Sequence, residues 1–323
     1  MTPQVIVVGS FVQDLTWRCA EFPRSGETVI GTFATGPGGK GSNQAIAAGR
    51  AGARTLFVGA VGCDAFARSA KKFYDAEGIA AHFAEKPAHA TGTAAILVNT
   101  AGQNEIIVAL GANAALQPAD VPAAALRGAQ VVVTQHETDL RTVATVLKTA
   151  RRSGVITVHN PAPMRADFAP ALLRHVDVLI PNETEFAALI NLLAARDART
   201  KLKPFTVAAL HALSNDALHT LCRSLGVPTV IVTLGARGIF VSQASGPAFI
   251  AAHKVKVVDT TGAGDAFCGG FAAGLVEFPG DLLSAARFGN AVAALSVTKF
   301  GTAPSMPTKA EIARFLRPNE SNG

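Results

Sequence analysis

Short apolar runs punctuate the chain at residues 5–8, 54–61, 131–134, 155–158, 176–180, 229–234 and 255–258. Most are apolar throughout rather than alternating, which predicts strands buried on both faces. Alanine- and leucine-rich stretches with helical spacing occupy 45–51, 140–152 and 216–225, and a small-residue apolar stretch runs from 263 to 275. The alternation predicts an α/β fold with a central, mostly parallel sheet and helices on both faces. Two segments break it. Residues 94–99 and 105–110 read as a hairpin around a polar turn at 100–104, and the turn-rich stretch 15–36, alternating at 28–33, reads as short ribbons. Paired, they would make a small second sheet, a lid built from about 11–36 and 91–112. The expected organisation is one domain over 1–318. A surface excursion is expected at 186–222, containing Arg196 to Lys203 and Pro204, and a disordered tail at 319–323.

Composition narrows the classes. With 49% hydrophobic and 16% charged residues, the 323-residue chain suits a compact globular protein. Its net charge of +6 would fit an anionic ligand, but the basic residues are scattered and not interleaved with aromatics, so nucleic-acid binding is not expected. Cys19, Cys63, Cys222 and Cys268 stand far apart without a CxxC pair, which argues against zinc or a disulfide framework. The first residues lead straight into a strand without a signal-peptide pattern, and no apolar run is long enough to span a bilayer. A cytoplasmic protein without membrane partners is expected.

Candidate chemistry centres on Val258-Asp259-Thr260-Thr261-Gly262-Ala263-Gly264-Asp265-Ala266-Phe267, which reads as strand, glycine turn and helix start. Bare amides at a helix N-terminus suit an anion. Asp265 beside them reads either as a general base at a phosphoryl-transfer site or as an ordinary first-turn acid favoured by the helix dipole. A second glycine-rich stretch, Gly36-Pro37-Gly38-Gly39-Lys40-Gly41-Ser42-Asn43-Gln44, offers donors from Lys40 and Asn43; its alternative reading is a hinge. It is not a Walker A loop, because Ala34 and Gly41 stand at the first-glycine and Ser/Thr positions. Nor is the first strand followed by a dinucleotide fingerprint, since only Gly9 is present. Polar residues recur just after predicted strands: Asp14, Glu137, Asn160, Asn182, Glu185, Thr233, Gly235 and Asp259. Each suits a cap or turn, yet together they mark the edge where open α/β sheets bind ligands. His136, beside Glu137, can be imagined as a base, although a lone histidine there is more often structural.

The blocks Pro37 to Ala45, Asn160-Pro161-Ala162-Pro163, Pro181-Asn182-Glu183-Thr184-Glu185, Val232-Thr233-Leu234-Gly235, Asp259 to Phe267 and Ser296 to Gly301 with Pro304-Ser305 resemble the ribokinase family, the PfkB group of carbohydrate kinases. The resemblance implies ATP-dependent phosphorylation of a pentose at its 5-hydroxyl. Asp265 would be the base, with the amides of Gly262, Ala263 and Gly264 as anion hole. Asp14, Gly38, Gly39, Lys40, Asn43 and Glu137 would hold the sugar. Asn182 and Glu185 would order Mg²⁺ and its waters, and Thr233, Gly235, Gly238 and Asn290 would line the nucleotide cleft. Activation by K⁺ is implied at Asp259, Thr261, Ser296, Lys299, Gly301 and Ser305, mostly through backbone carbonyls, as is a homodimer through the lid. One departure stands out: Val12 occupies the place of an asparagine two residues before the sugar-binding aspartate. Facing a hydroxyl with valine costs roughly 1–3 kcal/mol if no other partner is found, which tilts preference toward a sugar lacking the 2-hydroxyl. Ribose stays first and 2-deoxyribose is the alternative. A nucleoside or hexose-phosphate kinase and a catalytically silent sugar or nucleotide sensor complete the set.

Overall fold

A computed structural model describes residues 2–195 and 204–317. Its strands are β1 (Val5–Val8), β2 (Val12–Arg18), β3 (Thr32–Gly38), β4 (Thr55–Val61), β5 (Ala80–Glu85), β6 (Gly92–Val98), β7 (Asn104–Ala109), β8 (Val131–Thr134), β9 (Ile156–His159), β10 (Val178–Leu179), β11 (Thr229–Thr233), β12 (Gly238–Gln243) and β13 (Gly246–Ala251). The helices are α1 (Lys40–Arg50), α2 (Ala65–Glu77), α3 (Ala123–Gly128), α4 (Leu140–Arg152), α5 (Glu183–Ala194), α6 (Val207–His211), α7 (Asn215–Ser224), α8 (Ala263–Glu277), α9 (Leu282–Ser296) and α10 (Lys309–Leu316).

The main sheet has the order β13-β12-β11-β10-β9-β8-β1-β4-β5. It is parallel from β11 to β5 and closes with the antiparallel β12–β13 hairpin. Because side chains alternate along a strand, β1 feeds both sides. Val5 and Val7 join a core with α1, α2, α8 and α9, while Ile6 and Val8 join one with α4, α5 and α7. The continuous apolar run in the sequence is therefore a strand covered on both faces.

The expected second sheet is present, in the order β3-β2-β6-β7. β2 runs antiparallel to β3 and parallel to β6, and β6 turns into β7. Its outer strand exposes Ile106, Ile107 and Val108, and Trp17 lies against Phe33 with ring centroids 5.2 Å apart. Residues 28–31 lie outside its strands.

Other expectations are corrected. Residues 255–258 form no strand: Val257 and Val258 are exposed, and the amides of Val258 and Asp259 turn inward to the Val297 carbonyl. The predicted strand at 176–180 contracts to β10. Helix α1 begins at Lys40, so much of the glycine-rich stretch is already its first turn. The hairpin β12–β13 and helices α2, α9 and α10 carry no prediction from the pattern. Within 186–222, α6 is tied to α5 by the Asn191 side chain, which exchanges hydrogen bonds with the backbone of Phe205. Residues 196–203 and the tail at 319–323 lie outside the described residues.

The small-residue run of α8 has a packing reason. A Cβ on Gly269 would sit 2.2 Å from the Gln44 carbonyl oxygen of α1, and one on Gly270 would sit 2.6 Å from Val292 of α9. Glycine here lets α8 lie close between its neighbours. Gly269→Ala should therefore destabilise the fold by about 1–3 kcal/mol, the usual cost of overpacking, as read from the urea midpoint. An unchanged midpoint would refute this packing account.

Candidate active site

The carboxyl ends of the parallel strands, the glycine turn before α8 and the start of α1 converge on one cleft of about 180 Å³. Lys40, Asn182, Glu185, Thr233 and the segment Gly262 to Asp265 line it, joined by Asn160, Thr260 and Cys268. Eight of the expected residues, Lys40, Asn182, Glu185, Thr233 and Gly262 to Asp265, therefore line one cleft although they come from distant parts of the chain.

Gly262, at φ 78°, opens α8 without a side-chain cap. Helix geometry leaves the first-turn amides without intrahelical acceptors. Ala263 N–H is engaged by the Thr260 carbonyl at 3.2 Å, so it is not a free member of the cradle. Asp265 is buried, and both of its oxygens are held: Asn43 Nδ2 donates to Oδ2 at 3.0 Å and Gln44 Nε2 to Oδ1 at 2.9 Å.

Helix α1 starts in the same cleft. Its N-cap, Gly39, has no side chain to offer and a φ of 90°. Glu137, just beyond β8, supplies the missing acceptor, taking Lys40 N–H at 2.9 Å and Ser10 Oγ–H at 2.5 Å. A carboxylate there also meets the positive end of the helix dipole. Gly38 is glycine because a Cβ would lie 2.3 Å from the Asp14 carboxylate. Asp14 is raised to about 7 by burial first and then by the charges of Glu137 and Asp265, with no hydrogen-bond donor among the described residues to offset them. Burial opposes the charge on Lys40, but Asp265, Glu137 and Glu185 outweigh it and hold the ammonium above its ordinary value.

Asn182 and Glu185 form a capping box at the start of α5: Asn182 Oδ1 accepts from Glu185 N–H at 2.8 Å, and Glu185 Oε2 accepts from Asn182 N–H at 2.9 Å. Burial raises Glu185, partly countered by that amide and by Lys40. Thr233 bridges to Asn182 at the end of β11. Gly235 and Gly238 flank the next turn at φ 55° and 111°, and a Cβ on Gly238 would lie 2.1 Å from the Ile250 carbonyl oxygen. Asn290 is not among the cleft-lining residues; its amide donates to the Ala251 carbonyl at 2.8 Å, fastening α9 to β13. Val12 is buried at the junction of the two sheets, paired with Gly38 and Gly92.

Asp259 joins two loops, accepting Thr261 N–H at 2.9 Å and Gly301 N–H at 3.0 Å. Burial would raise its carboxyl, but these amides prevail and hold it below the ordinary range. The Ser296 and Ser305 hydroxyls donate to nearby carbonyls, and the Lys299 ammonium pairs with Glu311 at 2.7 Å. With its ammonium so engaged, Lys299 could meet a cation only through its main-chain oxygen, whereas the serine hydroxyl oxygens keep lone pairs after donating their hydrogens. Among the described residues no group of three His, Cys, Asp or Glu side chains forms a metal cluster.

His136 is no base. Its Nδ1 lies 3.1 Å from the Pro163 carbonyl, an obligate acceptor, so that nitrogen carries the proton. His136 Nε2 then accepts from His159 Nε2–H at 2.9 Å, and His159 Nδ1 accepts from the Thr134 hydroxyl at 2.9 Å. Burial lowers His136 to about 4 and His159 well below its usual value. Both stay neutral with both nitrogens occupied.

The sequence reading leaves Gln44, Gln135 and Ser10 without roles. The signal for Gln135 was Gly9: a Cβ there would lie 2.0 Å from Gln135 Oε1. That glycine makes room for an amide rather than for a dinucleotide.

The pattern of the pfkB family of carbohydrate kinases matches residues 2–309, and the chain belongs to that family. Within the family, its similarity runs to ribokinases. The chain is 38% identical to the ribokinase of Mus musculus, over 97% of this chain and 94% of that one, and 35% identical to that of Haemophilus influenzae, over 98% and 99%. It is also 33% identical to the deoxyribokinase of Salmonella typhimurium, over 98% and 99%. Among solved structures, Giardia lamblia ribokinase superposes with a TM-score of 0.86 at 30% identity, covering 98% and 99% of the two chains. Arabidopsis thaliana ribokinase complexed with ribose and ATP gives 0.84 at 30% identity, covering 99% and 100%. No helix among the described residues is long and apolar enough to cross a membrane.

Proposed function

We propose that the chain phosphorylates the 5-hydroxyl of a pentose with ATP, ribose first. The observation that carries this reading is Asp265, a buried carboxylate held by two amides beside an N-terminal helix cradle, in the cleft that also holds Lys40. One lone pair on each oxygen is used by Asn43 and Gln44, and the others are left to accept a hydroxyl proton. Phosphoryl transfer is mostly positioning and neutralisation of spread charge. The amides at the start of α8 and the Lys40 ammonium meet that need from two sides. Asp14, half-buried and without a hydrogen-bond donor to its carboxylate among the described residues, is suited to accept sugar hydroxyls. Glu185 retains one oxygen outside its capping box and, with Asn182, is suited to water-mediated Mg²⁺, which would supply charge neutralisation on the phosphates. Thr233, Gly235 and Gly238 border the nucleotide side, and a K⁺ ion would sit on carbonyls of the loops that Asp259 joins. The small sheet is assigned as the lid of one catalytic domain, and the apolar outer face of β7 as the surface through which two copies pair in the cytoplasm.

Val12 favours a second reading, 2-deoxyribose. Its buried side chain gives a 2-hydroxyl no polar partner. The test is ADP release with ribose, 2-deoxyribose, nucleosides and hexoses, with and without K⁺, for the wild type and Val12→Asn. The substitution should shift the ribose-to-deoxyribose ratio of kcat/KM toward ribose by about 5- to 100-fold. An unchanged ratio would remove Val12 as a determinant. Turnover of nucleosides or hexoses alone would overturn the pentose assignment.

A further inference from the structure

We infer that Gln44 is a positioning residue for the base, and that Gln135 supports it by donating to the amide oxygen that points away from the base. Gln44 and Gln135 are buried, and neither reaches the cleft lining. An ionised carboxylate only accepts hydrogen bonds, so Asp265 Oδ1, 2.9 Å from Gln44, requires the NH₂ end of that amide. The same NH₂ group also donates to Asn160 Oδ1 at 3.2 Å. Asn160 is itself oriented by donating to the Ile180 carbonyl at 2.8 Å, so its oxygen must face Gln44. Gln44 Oε1 then points away and accepts from Gln135 Nε2 at 2.6 Å.

Turning Gln44 over would set oxygen against the Asp265 carboxylate and oxygen against Asn160 Oδ1. Two unfavourable contacts thus hold the amide to one orientation, and the Gln135 amide, with no other hydrogen-bond partner among the described residues, follows it. Gln135 carries the cost of this arrangement: its Oε1 is buried without a hydrogen-bond partner among the described residues, lying over the bare Cα of Gly9. A buried amide left half-satisfied calls for a compensating use. Fixing the rotation of the base, through a residue outside the reacting site, is that use.

The inference rests on Asp265 acting as the base, and the test separates the two. Gln44→Met and Gln135→Met keep approximate volume and remove the polar ends. Both should lower kcat, Gln44→Met by roughly 10- to 100-fold and Gln135→Met by a smaller factor. The sugar KM should stay within about threefold. Lys40, Asp14 and Glu185, whose charges reach Asp265, and the neutral Cys268 thiol are untouched by either substitution. Thermal melts at the assay temperature exclude simple unfolding. In an Asp265→Asn background, Gln44→Met should cost less than about twofold more.

Wild-type kcat in the folded Gln44 variant would overturn the inference. So would a full, additive loss on top of Asp265→Asn. The same wild-type behaviour in Gln135→Met alone would overturn its share. Retained turnover in Asp265→Asn itself would instead defeat the assignment of the base.

Discussion

Asp265→Asn should cut turnover by about two to four orders of magnitude, while nucleotide affinity measured by calorimetry stays within a few-fold. The substitution keeps the size of the side chain and its place in the first turn of α8, but removes the charge that accepts the hydroxyl proton. The cradle amides and Lys40 remain, so the anion-binding half of the cleft should persist. Turnover within tenfold of wild type would mean that the hydroxyl proton leaves by another route. A loss of nucleotide binding to match the loss of turnover would mean that Asp265 shapes the cradle rather than the chemistry.

The second large effect belongs to Asp14. Asp14→Asn should raise the sugar KM by roughly 10²–10³-fold and at the same time stabilise the ligand-free protein at pH 8. Its carboxyl sits at about 7 in the fold against 3.8 in a model peptide, so the folded state binds this proton more tightly than the unfolded chain. The stability it contributes is therefore fully present below about pH 4 and is lost as the pH rises to about 7. At pH 8 the native residue is a half-buried charge next to Glu137 and Asp265, and the neutral amide relieves it. A rise in Tm of about 2–6 °C is expected. For the native protein, sugar binding to the charged form should strengthen with pH, with KM falling roughly tenfold per unit up to about pH 7 and levelling above it. A flat KM across pH 5 to 8, or a lower Tm for Asp14→Asn, would contradict this account of the residue.

Much of this architecture was legible because it rests on local pattern. Val5 to Val8, Val131 to Thr134 and the residues of α4 announce strand and helix by what they bury. The run at 255–258 misled because valines that look like a buried strand lie partly exposed, their backbone drawn to Val297 by a loop with no local signature. Helix α1 begins earlier than its alanines suggest, since its first amide, Lys40 N–H, is taken by Glu137, 97 residues further along the chain. Motif spacing brought most of the cleft to light, but it could not show that Gln44 and Gln135 form a relay, which depends on residues 91 positions apart. Asn290 shows the converse, a motif residue whose amide serves the edge of the sheet.

The central claim is the reaction itself, and its most direct test is the position of the new phosphate. The protein incubated with ATP, Mg²⁺, K⁺ and ribose should yield ADP and a single sugar phosphate whose phosphorus couples to the C5 protons in ³¹P–¹H NMR, with Asp265→Asn giving neither. Phosphate on another carbon, or no phosphorylated pentose from either ribose or 2-deoxyribose, would contradict it.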